Sequence, residues 1–167
     1  MKIYIAADHT GLEIKDAIRQ FLVNDNYDVE DCGAEKYNPD DDYPDFIGLA
    51  AENVSKNPGS FGIVIGGSGQ GEQMAANKYP GIRCALFYTP AVPIDSIDIN
   101  GTKSSDPYEI VKLARIHNNA NMLSFGSRFL KKEEAEEATK AFIQTEFSGE
   151  ARHQRRIDKI TAIENSK

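Results

Sequence analysis

Apolar residues along this chain gather in short blocks separated by amphipathic stretches. Five blocks, Ile3–Ala7, Tyr27–Cys32, Phe61–Ile65, Arg83–Phe87 and Met122–Phe125, have the length and composition of buried strands. Helical spacing fills the intervals. Leu12, Ile14, Ile18, Phe21 and Leu22 form an approximate helical stripe behind Thr10-Gly11-Leu12-Glu13, where Thr and Glu stand at capping-box spacing. A second helix is expected over Asp45–Val54, just after Pro44. Asp106-Pro107-Tyr108-Glu109 reads as N-cap, N1 proline and acidic N3, opening a helix through Ile110, Val111, Leu113 and Ala114. Lys132–Thr145 is helical in composition, and a last helix carries Ala151 to Ile163 after Ser148-Gly149.

Strands alternating with helices predict an α/β fold: a parallel sheet covered on both faces, in one domain spanning residues 1–167. Right-handed crossovers bring the C-terminal ends of all strands to one edge, where ligands bind near the switch point in strand order. Asp8-His9, the glycine turn Gly66–Gly71 and Arg128 all follow strands onto that edge. Thr89–Ser105 is the one long irregular segment.

The glycine turn is the strongest chemical signal. Gly66-Gly67-Ser68-Gly69-Gln70-Gly71-Glu72-Gln73 joins a buried strand to Met74-Ala75-Ala76-Asn77-Lys78, which reads as a first helical turn. Backbone N–H groups of such a turn, at a helix N-terminus, hold a phosphate or a developing oxyanion. The turn lacks the Gly-Lys-Ser/Thr of a nucleotide P-loop and the spacing of a dinucleotide fingerprint. Glu72 is either an acid favoured by the helix dipole or a working carboxylate. Tyr43 is a loop aromatic or a hydroxyl donor. His117 is a helix-terminal histidine complementing the dipole or a general acid/base near neutral pH.

Charge and composition narrow the function classes. A formal net charge of −7 argues against general nucleic-acid or membrane-surface binding. No apolar run reaches the length of a membrane span, and Met1-Lys2-Ile3-Tyr4-Ile5 reads as a strand, not a signal peptide. Cys32 and Cys84 have no metal or redox spacing, so reduced thiols in a cytoplasm are expected. Three scattered histidines without ligand spacing argue against a metal centre. Arg152-His153-Gln154-Arg155-Arg156 is the main basic cluster. Arg152 and Arg156 share a helix face at i, i+4, where they repel unless an anion or acid meets them.

Taken together, these segments resemble the B-type ribose-5-phosphate isomerases, in the family that also holds allose- and galactose-6-phosphate isomerases. The resemblance is carried by Ala7-Asp8-His9-Thr10-Gly11, Asp42-Tyr43-Pro44, Gly66–Gly71, Ala75-Ala76-Asn77-Lys78, Gly81-Ile82-Arg83, His117-Asn118-Asn119, Gly126-Ser127-Arg128 and Arg152–Ile157, in the family's order. It implies a three-layer Rossmann-like fold with five parallel strands. It also implies a sugar-phosphate substrate, no cofactor or metal, and a homodimer or tetramer with sites shared between subunits. The C-terminal helix, about 149–163, would pack on the partner.

By the same resemblance, His117 assists ring opening with Asp8 nearby. The amides of Gly67, Gly69, Gln70 and Gly71, with Ser68, stabilise an enediolate, and Asn118 and Tyr43 contact the sugar. His9, Arg128, Arg152 and Arg156 surround the phosphate, with His153 also on the substrate and the C-terminal cluster coming from the partner. Many family members carry a cysteine base where this chain has Gly66, whereas one branch uses a glutamate at the position of Glu72. The Thr89–Asp106 connection is longer than the family's. The expected activity is ribose 5-phosphate–ribulose 5-phosphate isomerisation with Glu72 as base. A hexose 6-phosphate isomerase and a non-catalytic phosphosugar-binding module are the alternatives.

Overall fold

A computed structural model describes residues 1–166 as one five-stranded sheet with six helices. In chain order these are β1 (Lys2–Ala7), α1 (Leu12–Asn24), β2 (Asp28–Asp31), α2 (Tyr43–Lys56), β3 (Phe61–Gly66), α3 (Gln70–Ala76), β4 (Cys84–Phe87), α4 (Glu109–Asn118), β5 (Met122–Gly126), α5 (Lys132–Gln144) and α6 (Ala151–Glu164). The strand order is β2-β1-β3-β5-β4, and every pairing is parallel. The expected α/β architecture is therefore present. The chain leaves β1 toward β2 on one side and returns to β3 on the other, so the switch point lies between β1 and β3.

Alternation along the strands divides the core. Ile3, Ile5 and Ala7 join Ile63, Ile65, Leu123 and Phe125 on the face covered by α1, α4 and α5, where Ile18, Val111, Ala138 and Phe142 pack. Tyr4, Ala6, Val64 and Met122 face Ile47, Ala50, Ala51, Val54 and Ala76 of α2 and α3. Burial on both faces explains why the central strands read as continuous apolar runs. The last helix, α6, packs on α4 of its own chain by burying His153 and Ile157, while Ile160 and Ile163 stay exposed.

Local boundaries differ from the sequence reading where side chains find other partners. Thr10 does not cap α1; Gly11 is the N-cap, and the Thr10 hydroxyl donates to Asp8 Oδ1 at 2.5 Å. The helix after the glycine turn starts at Gln70, ahead of Met74, and ends at Ala76. Likewise α2 starts at Tyr43 rather than Asp45. Tyr108 is the N-cap of α4, and Asp106 instead accepts the Tyr108 N–H at 2.8 Å in a turn ahead of it.

Two features fix the edge that carries the site. Gly69 sits at φ 72°, and its carbonyl accepts the hydroxyl of buried Ser124 at 2.8 Å. A Cβ there would stand 2.9 Å from the carbonyl oxygen of Phe125. Replacing Gly69 by Ala is expected to destabilise the protein by about 2 kcal/mol through left-handed strain and this clash. Urea denaturation checks it; an unchanged midpoint would contradict the account of the turn.

Candidate active site

The first group of candidate residues converges at the C-terminal edge of β1, β3 and β5. Asp8 follows β1 and is buried, with Oδ1 accepting the N–H of Thr10 at 2.9 Å as well as its hydroxyl. His9 follows, its Nδ1 lying 2.5 Å from Asp41 Oδ1. Arg128 leaves β5 and lies against the backbone of Gly67: a Cβ on that glycine would be 3.0 Å from the guanidinium carbon. Ser127 ties the edge together, its N–H donating to Gly66 O at 2.8 Å and its hydroxyl to Thr10 O at 3.0 Å.

At the glycine turn the spacing of atoms is decisive. Glu72 lies in the first turn of α3 and is only 4% exposed. Its carboxylate fills the space where a side chain at position 66 would begin, with Oε1 1.8 Å from the ideal Cβ position of Gly66. Among the described residues, Glu72 Oε2 has no hydrogen-bond partner. The N–H groups of Gly67 and Ser68 likewise donate to no backbone group there. Burial pushes the Glu72 carboxyl above its ordinary value, nearby Asp8 adds to the rise, and the amides of Glu72 and Gly69 oppose it. A basic, under-solvated carboxylate beside free amide donors can move a proton next to a developing oxyanion.

Tyr43 packs its ring on the same turn, with Cζ and the hydroxyl 2.7 Å from where a Cβ at Gly71 would stand. Ser68 Oγ weakly accepts the Gln70 N–H at 3.4 Å. The tight approaches at Gly66, Gly67, Gly69 and Gly71 explain why this turn is so rich in glycine: each position lies against a neighbouring side chain or backbone. Ligand-type atoms of Asp8, His9 and Asp41 lie within 4.8 Å of one another. Asp8 is already bonded by Thr10, and His9 is bonded to Asp41.

The second group lies elsewhere. His117 and Asn118 end α4, next to the start of β5, because a crossover helix runs antiparallel to its strands. Arg83, just before β4, donates to Asn118 O and Asn119 O at 3.0 Å. Gly62 pairs with Met122 and Gly66 with Gly126, so four residues of strand, about 13 Å, separate the two ends. His117 is therefore not beside Asp8 of its own chain, and the two can share a site only between subunits. His117 packs instead against His153, ring centroids 4.4 Å apart. His153 is buried, with Nδ1 3.0 Å from Ser148 Oγ.

Arg152 completes this second group, its Nε 2.7 Å from Glu150 Oε2, and Arg156 lies one turn further on with its surface exposed. The His117 imidazole is held below its ordinary value, first by burial and then by the neighbouring His153, Arg152 and Arg156. It is neutral at neutral pH, carrying one donor and one acceptor nitrogen. Asp41, Ser124 and Ser127 are the residues that sequence reasoning missed. Asp41 stands in Asp40-Asp41-Asp42, where only the tertiary contact distinguishes one aspartate from its neighbours.

Glu72 also carries a signed stability prediction. A folded-state value above the unfolded one means that the folded state gains from protonation at low pH and loses that gain as pH rises through the raised value. At neutral pH the buried carboxylate opposes folding. Glu72→Gln is therefore expected to raise the melting temperature at neutral pH by roughly 2–4 °C and to lose this advantage in acid. Thermal melts across pH check it; a lower melting temperature at neutral pH would contradict it.

Comparison with known proteins supplies the family. The family model described as Ribose/Galactose Isomerase matches residues 3–103 and 98–160. The chain is 42% identical over 166 residues to ribose-5-phosphate isomerase B of Mycobacterium tuberculosis, covering 99% of this chain and 91% of that protein. It is 41% identical to the probable ribose-5-phosphate isomerase B of Mycoplasma pneumoniae, covering 99% and 96%. The crystal structure of ribose-5-phosphate isomerase B from Mycoplasma genitalium, with bound ribulose-5-phosphate, superposes with a TM-score of 0.85 at 38% identity, covering 99% and 97%. No helix among the described residues is long and apolar enough to cross a membrane. With its five-stranded parallel sheet and its loaded strand edge, the chain belongs to the ribose/galactose isomerase family, among relatives named ribose-5-phosphate isomerase B.

Proposed function

We propose that this chain is an aldose–ketose isomerase that interconverts ribose 5-phosphate and ribulose 5-phosphate, with Glu72 as the base. The observation that carries the assignment of the base is the Glu72 carboxylate, buried against the backbone of Gly66 in a turn whose Gly67 and Ser68 N–H groups donate to no backbone group among the described residues. The relative from Mycoplasma genitalium, with ribulose-5-phosphate bound, supports the choice of substrate.

The reaction needs a proton moved between C2 and C1 of the open-chain sugar through an enediolate. Glu72 takes the C2 proton and returns it to C1, while the O2 hydroxyl proton passes to O1 so that the enediolate collapses to the ketose. Negative charge that develops on the sugar oxygen is met by the amides of the Gly67–Gly71 turn and by the Ser68 hydroxyl. His9 and Arg128 anchor the phosphate, whose binding energy orients a small substrate. His117, neutral at neutral pH, carries protons between ring and hydroxyl oxygens as the furanose opens, and Asn118 and Tyr43 hold sugar hydroxyls. Asp8 lies beside Glu72 and helps to keep it basic.

One chain cannot close this site on its own, because His117, Asn118, Arg152 and Arg156 stand at the opposite sheet edge. A homodimer, in which each subunit offers its Glu72 edge to the partner's His117 end, resolves the separation. An apolar groove of about 630 Å³ beside the free edge of β4, lined by Ile82, Ala85, Ala114, Ile160 and Ile163, suits a second copy. The Arg152/Arg156 pair then meets the substrate phosphate, an anion that adds to the Glu150 carboxylate already beside Arg152. The whole chain acts as a single sugar-phosphate isomerase domain. The two free cysteines, one buried and one half-buried, are consistent with a reducing cytoplasm.

Assay of Glu72→Gln with ribose 5-phosphate, beside allose 6-phosphate and galactose 6-phosphate for the unmodified chain, tests the proposal. The expected result is pentose turnover by the unmodified chain and a loss of about 10²–10⁴-fold in kcat in the variant, with sugar-phosphate binding retained. Hexose turnover without pentose turnover would overturn the substrate, and near-normal activity of the variant would overturn the base. Since the base must be ionised, the acid limb of kcat/KM should lie above the ordinary glutamate value of 4.5.

A further inference from the structure

His9 leaves the end of β1 with one face of its imidazole already engaged. Nδ1 lies 2.5 Å from Asp41 Oδ1, and the backbone N–H of His9 donates to Oδ2 of the same carboxylate at 3.0 Å. The Asp41 side chain is 5% exposed, so this carboxylate is committed to His9 and not to solvent. The loop that delivers Asp41 is itself fixed to β1. Ala7 N–H donates to Gly33 O at 2.7 Å, and Ala34 N–H returns to Ala7 O at 2.6 Å. From the first turn of α1, the buried Lys15 places Nζ 2.7 Å from Ala34 O and 2.8 Å from both Asp31 oxygens. A carboxylate on Nδ1 makes that nitrogen the donor and leaves Nε2 as the ring atom available to a ligand.

We propose that Asp41 is the positioning residue of the phosphate subsite, holding His9 so that Nε2–H faces the substrate phosphate beside Arg128. This rests on the reading of His9 and Arg128 as phosphate ligands. Asp41 also supports the cation on His9. Its hydrogen bond raises the imidazole above its ordinary value most strongly, burial opposes, Asp8 raises it further, and Arg128 lowers it. The Tyr37 ring packs against the imidazole in a T-shaped arrangement, centroids 5.7 Å apart. Without Asp41, burial and Arg128 are opposed by Asp8 alone, so the His9 cation is lost at a lower pH. Phosphate then meets a neutral and freely rotating imidazole.

The test is Asp41→Asn in the full chain, read in two ways. Histidine NMR titration follows His9 directly; with three histidines in the chain, its signals are assigned by their loss in His9→Asn. The His9 titration should move to lower pH in Asp41→Asn and be largely restored in Asp41→Glu. For ribose 5-phosphate, KM should rise about tenfold, with kcat within about twofold, between the variant and unmodified His9 titrations, and the difference should shrink at lower pH. An unmoved His9 titration, or a loss confined to kcat, would overturn the proposal. If Asp41→Asn fails to fold, the unmodified protein decides: inorganic phosphate should shift the Nε2 resonance of an Nδ1-protonated His9, and an unresponsive Nε2 would overturn it. Because phosphate binding needs no turnover, this reading stays distinct from any failure of the isomerase assignment.

Discussion

Seating the Glu72 carboxylate at the end of β3 requires that residue 66 carry no side chain. A Cβ there would meet Oε1 at 1.8 Å, so any larger residue and this placement of Glu72 exclude each other. From that constraint follow the tight turn, the left-handed Gly69 and the start of α3 four residues after β3. The carboxylate is thereby held close to backbone donors but short of full hydrogen bonding, which keeps it basic at a cost in stability. Functional groups commonly carry such a cost.

The second constraint is directional. Crossover helices run against their strands, so a residue at the end of α4 stands at the far sheet edge from a residue that follows β1 or β3. Glu72 and His117 obey this rule, and no side-chain rotamer closes a gap of about 13 Å. Under the proposed function, a site that uses both is completed by a second chain. On this reading the exposed Ile160 and Ile163 of α6 and the open edge of β4 belong to the same design as the chemistry.

Much of this architecture is legible in the sequence, for physical reasons that also mark the limits. Strands such as Phe61–Gly66 are apolar throughout because both faces are covered, so their blocks stand out. Residues that follow strands, Asp8, His9, Glu72 and Arg128, fall on one edge by topology alone. The start of α3 is hidden, since Gly71 breaks up the helix-favouring Gln70, Glu72 and Gln73 and the helix begins through the backbone geometry of Gly69. Thr10 reads as a cap because local spacing cannot reveal that Asp8 takes its hydroxyl. Asp41 is illegible for the same reason: among three consecutive aspartates, only a contact across 32 residues selects it. Helix polarity places His117 at the opposite end of the sheet from Asp8 in its own chain, which motif resemblance, carrying no edge information, does not reveal.

The claim that two chains complete each site is tested most directly by mixing two inactive variants, Glu72→Gln and His117→Ala, under conditions that exchange subunits. In a mixed dimer one site combines both defects and the other combines neither, and mixed dimers make up about half of an equal mixture. Recovery of about one quarter of the unmodified activity is therefore expected. No recovery, with mixed dimers demonstrably formed, would contradict the shared site.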